Sequence, residues 1–535
     1  MTDALKHIAL EVRELSIEAK GADKRWFEIV KGVSFKLNKG EVLGLIGESG
    51  AGKSTIGLSA LGYRRPGCRF SGGQVLFKGK DLLTMNPEEL RQMRGARVSY
   101  VAQSAAAFFN PAHRLIDQFI EAGQQHDQGS RSALRSEAIE LYRTLGLPSP
   151  QSFGERYPHQ VSGGQLQRAM VAMSMACKPD VIVFDEPTTA LDVTTQAEVV
   201  AAIKRTVSKS GVAALYISHD LPVVSQVVDR IMVLRHGKQV EIGKTSEILS
   251  NPQAEYTKEL LQAEVRENPA RERTTPILGI QNIVAGYGSE KVLGGVSCTA
   301  MRGRTLAIVG ESGSGKSTLG RVVTGVLAPW SGEVTFDGAV LPKRLKSREI
   351  NLLKRIQVIH QMPDTALNPM QRVGDVIGRP LKYHRKFDAT RCRQEVIELM
   401  RQVGLPVEMM NRRTSQLSGG QKQRVCIARA LASAPDLIIC DEITSGLDPL
   451  VAESILVLLS DLQRKHGTTI LFITHDIHVV EMIADDVLVL RAGKVVAYGP
   501  RDETLKQSDH PYVRTLMESV PRLDRYLTTA GEENT

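Results

Sequence analysis

One eight-residue pattern, present twice, constrains this chain more than any other feature. Gly47-Glu48-Ser49-Gly50-Ala51-Gly52-Lys53-Ser54 and Gly310-Glu311-Ser312-Gly313-Ser314-Gly315-Lys316-Ser317 both match G-x-x-x-x-G-K-[ST]. Such a loop is glycine-rich because its backbone N–H groups must turn inward onto phosphate oxygens, where a Cβ would obstruct the turn. The lysine adds positive charge at the β- and γ-phosphates, and the serine hydroxyl is a Mg²⁺ ligand. A helix starting at the loop points its positive end at the anion; Thr55 and Thr318, next in line, extend the phosphate-binding set. A single match arises by chance in roughly one chain of this length in fifty at ordinary residue usage. Two matches, each followed by the same landmarks, exclude chance.

The landmarks measure a repeat. Lys316 follows Lys53 by 263 positions (316 − 53). The tetrads Ser162-Gly163-Gly164-Gln165 and Ser418-Gly419-Gly420-Gln421 are 256 apart (418 − 162), and the same step separates Asp185 from Asp441 and His219 from His475. A constant step means a duplicated domain, with extra residues in the first copy between loop and tetrad. The expected organisation is a first domain at 1–263, a linker at 264–275, a second domain at 276–527 and a flexible end at 528–535. The linker is charged, contains Pro269 and lacks apolar periodicity. Some ten residues span at most about 35 Å, so the two halves are expected to pair within one chain.

Each half reads as α/β. Val42-Leu43-Gly44-Leu45-Ile46 and Leu306-Ala307-Ile308-Val309 feed into the loops, and Val181-Ile182-Val183-Phe184 and Leu437-Ile438-Ile439-Cys440 end on acidic pairs. Residues 213–218 and 469–474 supply a further strand that ends at His219 or His475. Short β-branched runs bounded by turns suit parallel strands buried on both faces, and ligands gather at the C-terminal ends of such strands. Loop, acidic pair and histidine therefore converge. Asp185 and Asp441 are placed to hold Mg²⁺, and Glu186 and Glu442 to polarise an attacking water. His219 and His475 are candidates for a γ-phosphate contact. Gln103 and Gln361, each after an apolar run, could ligate the metal or its water through a carbonyl oxygen. The tetrads each open a helix-like stretch; serine and two glycines there expose N–H groups to a second anion contact.

Composition narrows the class. The hydrophobic share is 42% and the charged share 24%, as in a water-soluble globular protein, and no run reaches the roughly 18 apolar residues of a membrane span. Residues 1–15 mix acidic and basic groups among short apolar ones, so no secretory signal is expected there and the chain is expected to stay in the cytoplasm. The net charge of +9 comes from 68 basic against 59 acidic residues spread along the chain, without an arginine-rich arm carrying interleaved aromatics, so no nucleic-acid partner is expected. The six cysteines form no C-x-x-C and read as reduced thiols.

In this order, and twice, the phosphate loop, the glutamine, the S-G-G-Q signature, the acidic pair, the segments Ala190-Leu191-Asp192 and Gly446-Leu447-Asp448, and the histidine resemble the ATP-binding cassette (ABC) ATPases over nearly the whole chain. The resemblance implies two P-loop cassettes in tandem, each with a RecA-like core, an antiparallel β subdomain and an α-helical signature subdomain. It implies ATP hydrolysis, with Glu186, Glu442, His219 and His475 catalytic. It also implies composite sites, each loop facing the other half's signature: Lys53, Ser54, Gln103, Asp185, Glu186 and His219 with residues 418–421, and Lys316, Ser317, Gln361, Asp441, Glu442 and His475 with residues 162–165. The Mg²⁺ set is Ser54, Gln103 and Asp185, and Ser317, Gln361 and Asp441. Adenine is expected on Tyr287 in the second half; the first has Ala19 at that place, so Trp26 or Phe27 is expected to substitute, unless they are ordinary core.

A narrower resemblance is to the ATPases of oligopeptide, dipeptide and nickel importers. It rests on Asp185-Glu186-Pro187-Thr188-Thr189-Ala190-Leu191-Asp192-Val193-Thr194-Thr195-Gln196, on Leu367-Asn368-Pro369 and on the tail His510-Pro511-Tyr512. It implies a motor subunit on the cytoplasmic face of the inner membrane that drives peptides or similar solutes through two separate permeases, fed by a solute-binding protein. The alternatives are a tandem ATPase acting on ribosomes or DNA, or an accessory ATPase of an enzyme complex. The first tail departs from the pattern, with Ala254-Glu255 in place of His-Pro before Tyr256; Phe109 replaces leucine, and Ile443 replaces the proline after Glu442. No cysteine follows Cys440, so an iron–sulfur cluster is not expected. Residues 132–145 and 390–403 have helical periodicity; they lie between glutamine and tetrad, where exposed positions near Phe108, Phe109 and Leu367 are expected to meet the permeases.

Overall fold

The strands that carry the landmarks are buried on both faces, and this decides the architecture. In the computed structural model, residues 7–21, 24–189, 191–262 and 274–520 are described. Residues 264–273 of the expected linker, Ala190 and the end segment 528–535 lie outside the described residues. The described residues divide into two units, one made of those up to 191 and from 195 to 262, the other of those from 274 to 520 together with 192–194.

The first unit holds β1 (Ile8–Lys20), β2 (Trp26–Asn38), β3 (Val42–Gly47), β4 (Cys68–Phe77), β5 (Lys80–Asp81), β6 (Val98–Val101), β7 (Val181–Asp185), β8 (Ala213–Ile217), β9 (Arg230–Arg235) and β10 (Lys238–Lys244). A four-stranded antiparallel sheet has the order β2-β1-β4-β5, and a six-stranded sheet the order β10-β9-β3-β8-β7-β6. Within the latter, β9, β3, β8, β7 and β6 are parallel and β10 closes the edge antiparallel. The second unit repeats the plan with β11 (Pro276–Tyr287), β12 (Glu290–Met301), β13 (Thr305–Val309), β14 (Ser331–Phe336), β15 (Ala339–Val340), β16 (Ile356–Ile359), β17 (Leu437–Asp441), β18 (Thr469–Ile473), β19 (Asp486–Arg491) and β20 (Lys494–Pro500). Its sheets run β12-β11-β14-β15 and β16-β17-β18-β13-β19-β20.

Alternation along single strands separates two cores. In β17 and β18, Leu437, Ile439, Leu471 and Ile473 pack with the antiparallel sheet, through Ile283 and Val296, and with Leu319 of the helix after the phosphate loop. Ile438, Cys440, Ile470 and Phe472 point to the other face, onto a helical layer through Val425, Ile455 and Leu459. With both faces covered, successive side chains are apolar whichever way they point, which is why these strands read as apolar runs up to Asp441 and from Ile470 on. The helices used below are α1 (Lys53–Ser59), α2 (Arg131–Thr144), α3 (Gly163–Ser174), α4 (Glu255–Gln262), α5 (Lys316–Thr324), α6 (Ala389–Gln402), α7 (Gly419–Leu431), α8 (Pro449–His466) and α9 (Pro511–Glu518). α2 and α6 fall one residue from the helices predicted at 132–145 and 390–403.

Of the three residues that mark the expected docking segments, Phe108 is exposed and Phe109 and Leu367 are buried. Both follow a one-turn helix and turn their apolar side chains inward. Met362 and Met370 form the exposed apolar surface beside Leu367 instead. Among the described residues no helix is long and apolar enough to cross a membrane.

Candidate active site

Each phosphate loop leaves its strand through a glycine that nothing else can replace. Gly47 has φ 147° and Gly310 φ 151°. An added Cβ would meet the carbonyl oxygen of Leu234 at 2.0 Å or of Leu490 at 2.1 Å, inside contact distance. The lysines are buried against their own loops: Lys53 Nζ donates to the carbonyls of Gly47 (2.6 Å) and Glu48 (2.9 Å), and Lys316 Nζ to those of Gly310 (2.8 Å) and Glu311 (2.9 Å). Burial pushes the Lys316 ammonium down, with the Glu442 carboxylate opposing.

The serine next to each lysine reaches the end of the neighbouring strand. Ser54 Oγ donates to Asp185 Oδ1 at 2.9 Å, and Ser317 Oγ to Asp441 Oδ1 at 3.0 Å. A hydroxyl and a carboxylate at this separation are hard oxygen donors of the kind Mg²⁺ takes, so the residues present fit that ion. Burial raises both aspartates above the ordinary carboxylate range; hydrogen bonds from Tyr100 and Ser54 pull Asp185 back, and one from Ser317 pulls back Asp441.

The glutamates turn away from the aspartates because their backbones are left-handed, with φ 48° at Glu186 and 49° at Glu442. A glutamate there carries strain of about 1–3 kcal/mol, of the sort found at catalytic positions. Their N–H groups are tied to the carbonyls of Ile217 and Ile473, both at 2.9 Å. Glu186 then accepts from Gln103 Nε2 at 2.9 Å and Thr189 Oγ1 at 3.0 Å, and lies 3.3 Å from His219 Nδ1. Glu442 accepts from Gln361 Nε2 at 2.9 Å and lies 3.4 Å from His475 Nδ1. Burial opposes the charge on Glu186, but the His219 bond and charge outweigh it; the His475 bond does the same for Glu442 against burial. Both carboxylates stay below their ordinary range. Burial likewise opposes protonation of the histidines, and the facing glutamates raise them above an ordinary imidazole. The glutamines expected beside the metal thus have their amide nitrogens on the catalytic-type carboxylate.

The tetrads sit elsewhere in each unit, at the starts of α3 and α7. Ser162 accepts from Gln165 N–H at 3.3 Å while Gln165 Oε1 accepts from Ser162 N–H at 3.3 Å; Ser418 and Gln421 repeat this at 3.4 and 3.0 Å. Serine and glutamine therefore form a capping box. The second glycine serves packing: a Cβ on Gly164 would meet Thr195 at 2.0 Å, and one on Gly420 would meet Val451 of α8 at 2.6 Å. Gly163 and Gly419 are less crowded, the nearest atom lying 3.7 Å from an added Cβ.

Tyr287 ends β11 and is 43% exposed; its hydroxyl accepts from Arg321 Nη1 of α5 at 2.7 Å, which sets it beside the phosphate-loop helix. Trp26 and Phe27 are 37% and 53% exposed, so neither is core. Phe27 is paired across the hairpin with Ala19, and Trp26 with Lys20.

Sequence reasoning missed two contributors. Tyr256 of α4 and Tyr512 of α9 accept from the loop N–H groups of Glu48 (3.2 Å) and Glu311 (3.3 Å). Their equal spacing of 256 positions (512 − 256), the step of the other landmarks, was the available signal.

Residues 30–189 and 293–445 match the ABC transporter family, and residues 240–292 and 496–534 match the C-terminal region of oligopeptide/dipeptide transporters. The chain is 35% identical to the glutathione import ATP-binding protein of Pectobacterium atrosepticum, over 96% of this chain and 90% of that one. It is 36% identical to the peptidoglycan transport ATP-binding protein of Agrobacterium fabrum, over 97% and 98%. Among solved structures, the archaeal ribosome recycling factor aABCE1, in complex with stalk protein aP1, aligns over 90% of this chain and 88% of its own with a TM-score of 0.60 and 20% identity, a likeness of fold.

Proposed function

The chain belongs to the ABC transporter family as a tandem ATPase of an importer, and we propose that it drives uptake of peptides or similar small solutes through two separate membrane permeases. The observation that carries this reading is the coexistence of two fully equipped sites with the peptide-importer C-terminal region after each. ATP is the substrate of both. In our reading each site is completed by the signature of the other half, residues 418–421 for the first loop and 162–165 for the second.

Lys53 and Lys316 then bind the β- and γ-phosphates, and Ser54 with Asp185, and Ser317 with Asp441, hold Mg²⁺, with Gln103 and Gln361 beside them. When bound, the ion neutralises charge that builds on the phosphate oxygens. Glu186 and Glu442, kept ionised, accept a proton from the attacking water. His219 and His475 hold these carboxylates in place and offer an N–H toward the γ-phosphate. The chain is placed at the cytoplasmic face of the inner membrane, with a solute-binding protein as an indirect partner. The reading includes no nucleic acid and no iron–sulfur cluster. The exposed face around Phe108, Met362 and Met370 is assigned to the permeases.

Expression from its own locus and gentle detergent extraction test this. The chain is expected to copurify with two integral membrane proteins, and its ATPase rate to rise when peptide-loaded binding protein is added. Recovery with ribosomes and without membrane proteins would overturn the assignment.

A further inference from the structure

Each tail reaches its phosphate loop through a tyrosine hydroxyl, and that contact is placed to act on the lysine. Tyr256 and Tyr512 are both 4% exposed, each near the start of a tail helix. Each hydroxyl accepts the N–H of the glutamate that opens the loop, Glu48 or Glu311. The carbonyl of that same peptide group belongs to Gly47 or Gly310, and it accepts from Lys53 Nζ at 2.6 Å or Lys316 Nζ at 2.8 Å. A trans peptide is planar, with N–H and C=O on opposite edges. Tyrosine and lysine therefore hold the two edges of one rigid plate, and its tilt cannot change without disturbing both bonds.

The rings are fixed as well. The Arg235 guanidinium stacks over Tyr256 at 4.4 Å, and Arg491 over Tyr512 at 4.5 Å. Burial pushes the Tyr512 phenol up to about 12, so it remains a neutral hydroxyl. The approaches to the two tyrosines differ. In the second unit His510 Nδ1 accepts from Tyr512 N–H at 3.2 Å and caps α9. In the first, where His-Pro is missing, Glu241 of β10 accepts from Gln253 N–H at 2.8 Å and Ala254 N–H at 3.1 Å. Two different caps deliver the same hydroxyl to the same peptide.

We propose that Tyr256 and Tyr512 are positioning residues, which hold the entry peptide of each phosphate loop so that its carbonyl aims the lysine ammonium at bound nucleotide. The C-terminal tail of each half is thereby part of its own ATP site. This inference rests on reading the two loops as ATP sites.

Y256F and Y512F, singly and together in the full chain, test it, because phenylalanine keeps the ring under the arginine and removes only the hydroxyl. ATPase rate against MgATP concentration and thermal unfolding are both measured. Losing one such hydrogen bond is expected to raise the KM for ATP about three- to tenfold, with kcat and Tm close to those of the parent. A lowered Tm with an unchanged KM would make the tyrosines packing residues and overturn the inference. K53A and K316A separate the two levels of the argument. If they bind ATP normally, the site reading fails and takes this inference with it; if they lose binding while Y256F and Y512F keep the parent KM, the inference alone fails.

Discussion

The two nucleotide sites of this chain agree where bonds are to be made and differ in what surrounds them. Serine to aspartate is 2.9 Å in one and 3.0 Å in the other, glutamine to glutamate 2.9 Å in both, and histidine to glutamate 3.3 and 3.4 Å. Around this shared skeleton the residues diverge. Tyr100 donates to Asp185 Oδ2 at 2.6 Å, whereas Val358 holds the matching place in β16 beside Asp441. Thr189 bonds Glu186 where the second unit has Ser445. Tyr287 stands where the first unit has Ala19, and Glu241 does in one tail what His510 does in the other. Groups that would touch the reacting atoms have kept residue type and geometry, while groups that hold them have found separate solutions. Such a pair is expected to hydrolyse ATP twice, with different tolerance to damage.

The sharpest way to break the comparison is to remove one base at a time. Glu186→Gln and Glu442→Gln keep the size of the side chain but replace one accepting oxygen with an NH2 and cannot take up the proton. Each is expected to leave ATP binding intact and cut turnover at its own site by about 10²–10⁴-fold, the usual worth of a general base. Single-turnover hydrolysis in each variant measures this. Full activity in either would show that one of the two matching geometries is idle.

Adenine recognition is the next largest difference. Stacking of a base on an aromatic ring is worth roughly 1–3 kcal/mol, by analogy with aromatic contacts to bases elsewhere. Tyr287→Ala is therefore expected to weaken nucleotide binding at the second site by about 5- to 150-fold and to spare the first. In the first unit Phe27 lies directly across the hairpin from Ala19, and such pairs share a face of the sheet, so it projects on the side where Tyr287 stands in the second. Trp26 pairs with Lys20 and has Arg69 over its ring at 4.3 Å. Phe27→Ala is thus expected to mirror Tyr287→Ala, and Trp26→Ala to change affinity less. Equal effects from both, or none from Tyr287→Ala, would remove the stacking argument, and equilibrium titration with a fluorescent nucleotide distinguishes these outcomes.

Much of this was legible in the sequence because the physics is local. Strands such as β7 and β17 announce themselves as apolar runs since both their faces are covered, and each phosphate loop needs its glycines within eight residues. The tetrads were legible only in part. Their serine and glutamine are a capping box, and Gly164 and Gly420 answer to Thr195 and Val451, partners about thirty residues away. Tyr256 and Tyr512 share the 256-position step of the landmarks, but their contacts cross 208 and 201 positions, so the step alone does not say what they touch. The left-handed backbones of Glu186 and Glu442 have no signature either, since nothing about a glutamate favours that conformation. Phe109 and Leu367 each follow a single helical turn and are buried, an orientation too local for periodicity to reveal.

The smallest of these effects concerns Tyr100, and its pH dependence gives it a signature of its own. Tyr100→Phe leaves Asp185 with Ser54 alone, the arrangement that Asp441 has with Ser317. A hydrogen bond to a buried carboxylate is worth about 1.5–3 kcal/mol, so the metal-free protein is expected to unfold a few degrees lower at neutral pH. Burial already holds Asp185 above the ordinary carboxylate range, and Tyr100 is one of the groups pulling it down, so the variant raises it further. A raised folded-state value means that the native protein takes up the proton more readily than the unfolded chain. The cost of the buried charge is therefore present above that value and is relieved as pH falls through it. The phenol matters most to the ionised form, so the Tm gap between parent and Tyr100→Phe should be widest at neutral pH and close on acidification. Val358→Ala removes only apolar contact at the corresponding place, and its gap should not depend on pH. A Tyr100→Phe gap that stays constant from neutral pH into the acid range would mean that the phenol supports packing and not the carboxylate, and the two sites would then differ less than their hydrogen bonds suggest.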